Sequence, residues 1–173
     1  MEPKILNEIQ AFKEAKNRLL GRLLNKSYRY MSEVATDFLK EKGYTDFRVG
    51  HIVALVHIEF EGDTVNTLAL RAGITKQGMS KIVQELVDGG YVISEKHPSD
   101  ARSVIIKLTD RGYEALIHWK ECTEQIDKKF TEILGSERLE QVKDILGVLV
   151  DYYEKQEDVH RDSIIMNKIM FSK

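Results

Sequence analysis

One stretch of the sequence, from Leu68 to Leu108, constrains the fold more than any other. It predicts two helices separated by a tight turn at Gly73, because glycine takes the left-handed conformation that ends a helix without steric cost. The hydroxyl of Thr75 can then cap the second helix by accepting an orphan backbone N–H. Two helices joined in this way are typical of a helix-turn-helix unit.

The second helix of this pair, predicted over Thr75 to Val87, has an apolar face and a polar face. Apolar residues recur at three- and four-residue spacings and should face the core; they are Met79, Ile82, Val83 and Leu86. The other face carries amides, hydroxyls and lysines, which read base edges or hold phosphate in DNA. A hydrated surface is the alternative for such a helix taken alone. The predicted DNA contacts are Thr75, Lys76, Gln77, Ser80, Lys81 and Gln84.

A β-hairpin is predicted directly after this helix, where it would form a wing. Its strands are Val92 to Lys96 and Ser103 to Leu108, and the residues between them include the Pro, Ser and Asp of a turn. Near the tip, Arg102 can enter a minor groove, where negative potential attracts arginine. Asp100 can orient that guanidinium, although a surface salt bridge of little weight is the alternative. Lys96, Asp100 and Arg102 therefore join the predicted DNA contacts.

Several short motifs within residues 60–115 together resemble the multiple-antibiotic-resistance regulator (MarR) family. They are Leu68-Ala69 with Gly73-Ile74-Thr75, Leu86 with Gly90-Tyr91-Val92, Asp100-x-Arg102, and Leu108-Thr109-Asp110-Arg111-Gly112. The resemblance implies a homodimeric transcription factor that responds to a ligand, usually a repressor. Its partner would be double-stranded DNA with a pseudo-palindromic operator.

The resemblance also implies an effector pocket between the dimer helices and the winged helix. A small aromatic or amphipathic effector is the corresponding candidate partner. Aromatic or amphipathic residues are the natural lining of such a pocket, and the candidates are Tyr28, Phe47, His51 and Trp119. For each of them a place in the core or in the dimer interface is the alternative.

Both ends of the chain are predicted to be helical and to form an intertwined dimerisation module. Residues 4 to about 42 have apolar residues at three- and four-residue spacings, up to Gly43. So long a helix cannot bury its apolar stripe within one small domain, so a partner chain is the natural cover; folding back on its own C-terminal helices is the alternative. The fold class is mainly α with a small β-wing. Residues 1–44 and 113–173 form the dimerisation region, and residues 45–112 the winged helix-turn-helix.

The remaining segments give local expectations. A helix is predicted from residue 47 to about residue 60, followed by a short strand at Thr64-Val65 beside the wing. Asn66 is expected to cap the first helix of the helix-turn-helix. Further on, Thr109 should cap the next long helix, and Gly135 should end it.

Charge and composition limit the function classes. The formal net charge is −2, which argues against bulk electrostatic binding to nucleic acid. Between Arg71 and Arg111 seven basic residues stand against five acidic ones, so DNA binding requires basic groups gathered on one face. With one cysteine there is no intramolecular disulfide. Without a signal peptide or an apolar run of about 18 residues, we expect a cytoplasmic protein and no membrane partner.

No catalytic motif is present, so the chain is not predicted to be an enzyme or to need a cofactor. His118 and Cys122 stand four apart on one helix, but a zinc site needs three or four protein ligands, so no metal site is predicted. The resemblance implies that peroxide-sensing members of the family carry a reactive cysteine near the N-terminus. This chain has no cysteine there, so peroxide sensing is not predicted. The rival interpretations are a winged-helix protein–protein adaptor and, with less support, a metal- or thiol-dependent sensor or enzyme.

Overall fold

The computed structural model describes residues 3–96 and 103–171, with the side chains of 4–96 and 103–156. These residues form a mainly helical chain with one small antiparallel sheet, which confirms the predicted fold class. The elements in chain order are α1 (Pro3–Ala15), α2 (Leu20–Glu41), α3 (Val49–Leu55), α4 (Val65–Arg71), α5 (Lys76–Asp88), β1 (Val92–Lys96), β2 (Val104–Leu108), α6 (Asp110–Leu134) and α7 (Ser136–Phe171). The chain divides into two compact units, residues 1–126 and 127–173.

The N-terminal region is two helices, so the prediction of one continuous helix was wrong. After α1 the chain makes a single 3-10 turn over Lys16–Arg18, and Leu19 is extended, with φ −64° and ψ 127°. Asn17 favours this break, because asparagine is a poor helix former whose amide competes for backbone groups. The helix begins again when Leu23 donates its backbone N–H to the carbonyl of Leu19, at 3.0 Å. Gly43, with φ +89°, follows the end of α2 as predicted.

The segment between α2 and α4 also differs from expectation. The helix predicted to reach residue 60 ends at Leu55. Val53, Val56 and Ile58 lie around this end, and β-branched residues have low helix propensity. The cap of α4 is Thr64, whose hydroxyl accepts the N–H of Thr67 at 3.2 Å, because Thr64 rather than Asn66 immediately precedes the first helical residue.

The wing is a two-stranded hairpin with one extra bridge. In β1 and β2 the register pairs Val92 with Leu108 and Lys96 with Val104. The strand expected at Thr64-Val65 is instead an isolated bridge one residue earlier, where Asp63 exchanges both backbone hydrogen bonds with Ile106, at 3.0 and 2.8 Å. Thr64 cannot continue this pairing because it already caps α4.

One apolar core fixes the arrangement of α3, α4, α5 and the wing. Its side chains that are at most 1% exposed include Leu55, Leu68, Met79, Leu86, Tyr91, Val92, Ile106 and Ala115. The burial of these apolar side chains is the main contribution to the stability of the fold. The predicted apolar stripe of α5 is therefore confirmed, with Ile82 packed at the edge of the cluster.

The long C-terminal helices begin and end where local signals place them. The Thr109 hydroxyl accepts the N–H of Gly112 at 3.2 Å and caps α6, as predicted. Gly135, with φ +82°, separates α6 from α7, and the backbone of α7 stays helical to Phe171. Among the described residues, no helix is both long and apolar enough to cross a membrane.

Candidate nucleic-acid interface

The start and the rotation of α5 are fixed by its contacts. The Thr75 hydroxyl accepts the N–H of Gly78 at 3.1 Å and so begins the helix where predicted. Met79, Val83 and Leu86 are at most 5% exposed. Because this face of α5 packs on the core, the opposite face points toward solvent. The residues predicted on that face are all exposed: Thr75, Lys76, Gln77, Ser80, Lys81 and Gln84.

The outward face forms one continuous stripe. At 3.6 residues per turn, Gln77, Lys81 and Gln84 point within roughly 60° of one another. They lie almost diametrically opposite the buried side chains of Met79 and Leu86. The structure therefore gathers two amides and a cation on a single surface, which is a surface suited to a major groove.

A network behind this surface joins α5 to α3, and it was missed by the sequence reasoning. The carboxylate of Glu85 on α5 accepts a hydrogen bond from His51 Nε2 at 2.8 Å and another from the guanidinium of Arg48. His51 Nδ1 accepts the backbone N–H of Arg48 at 3.2 Å. Since one ring nitrogen accepts, the other carries the proton, and His51 is neutral in this arrangement.

The surroundings of His51 disfavour a second proton. Burial and the nearby charge of Arg48 lower its pKa, against a smaller opposing effect of Asp46. The Glu85 carboxylate is already paired with Arg48, which weakens its attraction for an imidazolium. A proton on Nδ1 would also break the hydrogen bond from the Arg48 backbone.

This network predicts a loss of stability in acid. The unfolded chain protonates His51 near its ordinary pKa of 6.5, where the folded chain does not. The contribution of His51 is therefore complete above pH 6.5 and is lost as the pH falls toward the lowered pKa of the folded chain. Urea unfolding of the wild type and of His51→Gln, measured from pH 7.5 downward, should show a steeper decline for the wild type. Parallel pH profiles would contradict the assignment.

A second network holds the C-terminal end of α5. Arg111 donates from Nη1 to the carbonyl of Gly89 at 2.7 Å and from Nη2 to the hydroxyl of Tyr91 at 2.9 Å. Tyr91 in turn donates to Asp46 Oδ1 at 2.8 Å.

Burial and this hydrogen bond to Asp46 raise the pKa of Tyr91 to about 12. Burial opposes the charge of Asp46, but the hydrogen bond from Tyr91 and a backbone N–H outweigh it, so its pKa is lowered.

The predicted wing contacts fall mostly outside the described part of the chain. Lys96 is exposed at the end of β1, opposite Val104. Asp100 and Arg102 lie outside the described residues, so their contact with a minor groove stays a prediction.

The four candidate effector residues lie in different surroundings. Phe47 is 5% exposed, and its ring lies 5.2 Å from that of His51 and 4.8 Å from that of Tyr91, measured between centroids. Trp119 packs against the same core cluster. Tyr28 is 62% exposed on α2. The structure thus brings Phe47 and His51 together within the core, while Tyr28 lies on the surface.

The two residues considered for a metal also have other roles. His118 Nδ1 lies 2.7 Å from the hydroxyl of Tyr44, and Cys122 is buried. Burial raises the pKa of the Cys122 thiol, which disfavours the reactive thiolate. Within the described ranges, no three metal-binding side chains come together.

Comparisons with known sequences point to one family. The sequence model of the MarR family matches residues 46–103. The HTH-type transcriptional regulator FarR of Neisseria gonorrhoeae is 32% identical over 85 residues, which are 47% of this chain and 56% of FarR. The HTH-type transcriptional regulator MT0903.1 of Mycobacterium tuberculosis is 26% identical over 107 residues, 60% of this chain and 75% of that relative. The chain thus spans about half the length of FarR.

Solved structures share the fold at low sequence identity. A probable transcriptional regulator from Pseudomonas aeruginosa has a TM-score of 0.66 at 18% identity, covering 77% of this chain and 98% of its own. CouR, a transcriptional repressor bound to a 23-mer DNA duplex, has a TM-score of 0.65 at 23% identity, covering 79% and 95%. Reduced MarR from E. coli has a TM-score of 0.65 at 20% identity, covering 76% and 96%. The chain therefore has the fold of these regulators, and its residues 46–103 are similar to the MarR family.

Proposed function

We propose that this protein is a sequence-specific DNA-binding transcription regulator that acts as a homodimer on a pseudo-palindromic operator. The observation that carries the proposal is the exposed stripe of two amides and a cation on α5, opposite the buried side chains of Met79, Val83 and Leu86. Amides can pair with adenine, and lysine with guanine or phosphate. The DNA-bound structure of CouR, which shares the fold, supports the same use of this domain.

In the proposed complex α5 enters the major groove. The wing then lies along the flanking backbone, where Arg102 would reach the minor groove. A winged-helix adaptor is the less favoured candidate, because an adaptor would need apolar rather than amide and cationic groups on this face of α5.

Selection from a random DNA pool tests the proposal directly. The full-length protein should enrich two inverted half-sites with centres about one helical turn, ~10 bp, apart. Repetition at two salt concentrations separates sequence-specific binding from phosphate attraction, since the latter weakens steeply with salt. A pool that stays random at both concentrations would contradict the proposal.

The exposed stripe makes a prediction about single residues. Gln77→Ala and Lys81→Ala should each weaken operator binding by about 1–3 kcal/mol if their side chains reach base edges. If Lys81 instead holds phosphate, Lys81→Ala should weaken binding to all sequences alike and reduce the salt slope by about one. Lys120→Ala on α6 is the matched control, because Lys120 is an exposed lysine paired with Glu124 far along the chain from α5. Equal affinities for all three variants and the wild type would mean that another face binds DNA.

Dimerisation is proposed through the terminal helices, residues 1–44 and 113–173. Apolar side chains are exposed along α1 and α2 at Ile5, Leu6, Ile9, Phe12, Leu20, Leu23 and Tyr28. A second set is exposed on α7, at Val142, Ile145, Val148, Leu149, Val150, Tyr152 and Tyr153. So much exposed apolar surface is characteristic of interaction sites rather than of a monomer surface.

Light scattering checks the assembly. We expect a mass of about twice the 20.0 kDa of one chain at micromolar concentration. Leu20→Asp should shift the equilibrium toward the monomer, because a dimer interface would bury an unpaired charge there. Leu70→Asp, the same change at an exposed leucine on α4 outside the proposed dimerisation region, is the control and should leave the mass unchanged. A stable wild-type monomer would contradict the proposal.

We also propose that a small aromatic or amphipathic effector controls DNA binding and that the protein represses transcription. Support comes from the fold: PcaV of Streptomyces coelicolor, which shares it with a TM-score of 0.63, was solved with its natural ligand. Calorimetric titration with aromatic carboxylates, with and without operator DNA, would test the effector. An affinity for effector that DNA leaves unchanged would contradict a coupling between the two sites.

A further inference from the structure

We infer that Asp88 orients the amide of Gln84 so that Gln84 reads an adenine, which makes Asp88 a positioning residue for base recognition. This inference rests on the proposed function and adds the base and the residue pair. Gln84 Nε2 donates to Asp88 Oδ1 at 2.8 Å, and both side chains are exposed on α5. Helix geometry places them on the outward stripe, four residues apart.

The chemistry of the pair fixes which end of the amide faces Asp88. An ionised carboxylate only accepts hydrogen bonds, so it must face Nε2 and not the carbonyl oxygen of the amide. If the Gln84 amide were rotated by 180°, its Oε1 would face the carboxylate oxygen of Asp88. Two hydrogen-bond acceptors would then be in contact, which is unfavourable. The carbonyl oxygen of Gln84 is therefore directed away from Asp88.

The orientation of the amide decides which base it fits. With one N–H held by Asp88, Gln84 keeps one N–H donor and the Oε1 acceptor for a ligand. Adenine presents N7 as an acceptor and N6 as a donor in the major groove, which is the complementary pair. Guanine presents two acceptors, N7 and O6, and an amide already held by Asp88 cannot donate twice to them.

The negative charge of Asp88 acts in the same direction. A carboxylate at the edge of the major groove repels the N7 and O6 acceptors of guanine. It also opposes phosphate contact in general, so removal of this charge should strengthen binding to every sequence. The experiment must therefore separate a change in base preference from a change in overall affinity.

Base preferences of four variants test the inference. Each is determined by selection from the same DNA pool and by affinity for operators with every base at each position. Gln84→Ala should lose roughly 5- to 100-fold of discrimination for adenine at one position in each half-site. Asp88→Asn keeps the shape but can donate as well as accept, so it should relax the preference at that same position by about two-fold. Asp88→Glu keeps the charge and displaces the carboxylate, and should give a partial loss.

The double variant separates positioning from charge. With Gln84→Ala already present, Asp88→Asn should raise affinity for all sequences and leave base preference unchanged. A preference for guanine at the Gln84-dependent position would overturn the inference, as would an Asp88→Asn protein that binds more tightly without any change in preference. A wild type that selects no operator would refute the proposed function itself, and the inference would fall with it. Thermal unfolding should differ little among the variants, because both side chains are exposed and such a pair contributes little to stability.

Discussion

Gly112→Ala is expected to destabilise the folded chain by about 3 kcal/mol, at the upper end of the usual cost of overpacking. A Cβ at Gly112 would lie 2.2 Å from the carbonyl oxygen of Tyr91 and 3.1 Å from Cδ2 of Leu108. The Tyr91 carbonyl has little freedom to move, because it accepts the backbone N–H of Thr109 at 3.1 Å and its hydroxyl at 3.0 Å. The added methyl group must therefore push the start of α6 away from the wing.

Denaturant unfolding measures this effect, and Gly50→Ala is its matched control. Gly50 lies in α3, and a Cβ there would meet nothing within 4 Å. Alanine has the higher helix propensity, so Gly50→Ala should stabilise the chain by about 0.5–1 kcal/mol. Two glycine-to-alanine changes in helices would then have effects of opposite sign. Equal effects would show that the close approach of α6 to Tyr91 is not a constraint.

Local signals in the sequence were sufficient for the turn of the helix-turn-helix and for the ends of α5, although the cap of α4 is Thr64 and not the predicted Asn66. Gly73 and Gly90 have φ of +63° and +72°, and Thr75 caps α5. Each of these features depends on a residue's own backbone preference or on a neighbour three positions away. The 3.6-residue period also sufficed to choose the exposed face of α5, because one buried stripe fixes the opposite face.

The networks around α5 could not be predicted in this way. Glu85 and His51 are 34 positions apart in the chain. Helical periodicity predicts which face of its own helix each residue occupies, but not which residue of another helix it contacts. His51 was considered for an effector pocket because it is amphipathic, and it is buried against Glu85 in the structure. The break at Leu19 was missed because a weak local preference at Asn17 outweighed a continuous apolar pattern.

Asp63 should be the polar residue whose loss costs most in the winged helix. It is 9% exposed, and its Oδ2 accepts the backbone N–H of Glu59 at 2.9 Å and the guanidinium of Arg71 at 3.0 Å. Its backbone pairs with Ile106 of β2. The carboxylate therefore connects the turn after α3 to the end of α4, and the backbone of the same residue connects both to the wing.

Asp63→Ala is expected to destabilise the fold by about 2–3 kcal/mol, the scale for losing charge-assisted hydrogen bonds at a buried site. The expected cost stays below that of breaking a fully buried ion pair, because the Arg71 side chain is 38% exposed and its charge remains hydrated. Asp63→Asn retains one acceptor at the same place and should lose less.

Glu59→Ala provides the comparison, because Glu59 pairs with the same guanidinium from an exposed position. Its carboxylate lies 3.7 Å from Arg71 Nη1 and its side chain is 69% exposed. Water competes for such a pair, so its removal should change the free energy of unfolding by less than about 0.5 kcal/mol. Chemical denaturation of the two alanine variants and their double mutant would show whether burial decides the difference. If the loss of either carboxylate lowers the free energy of unfolding by the same amount, then solvent screens Asp63 as it screens Glu59, and burial does not strengthen the contacts of Asp63.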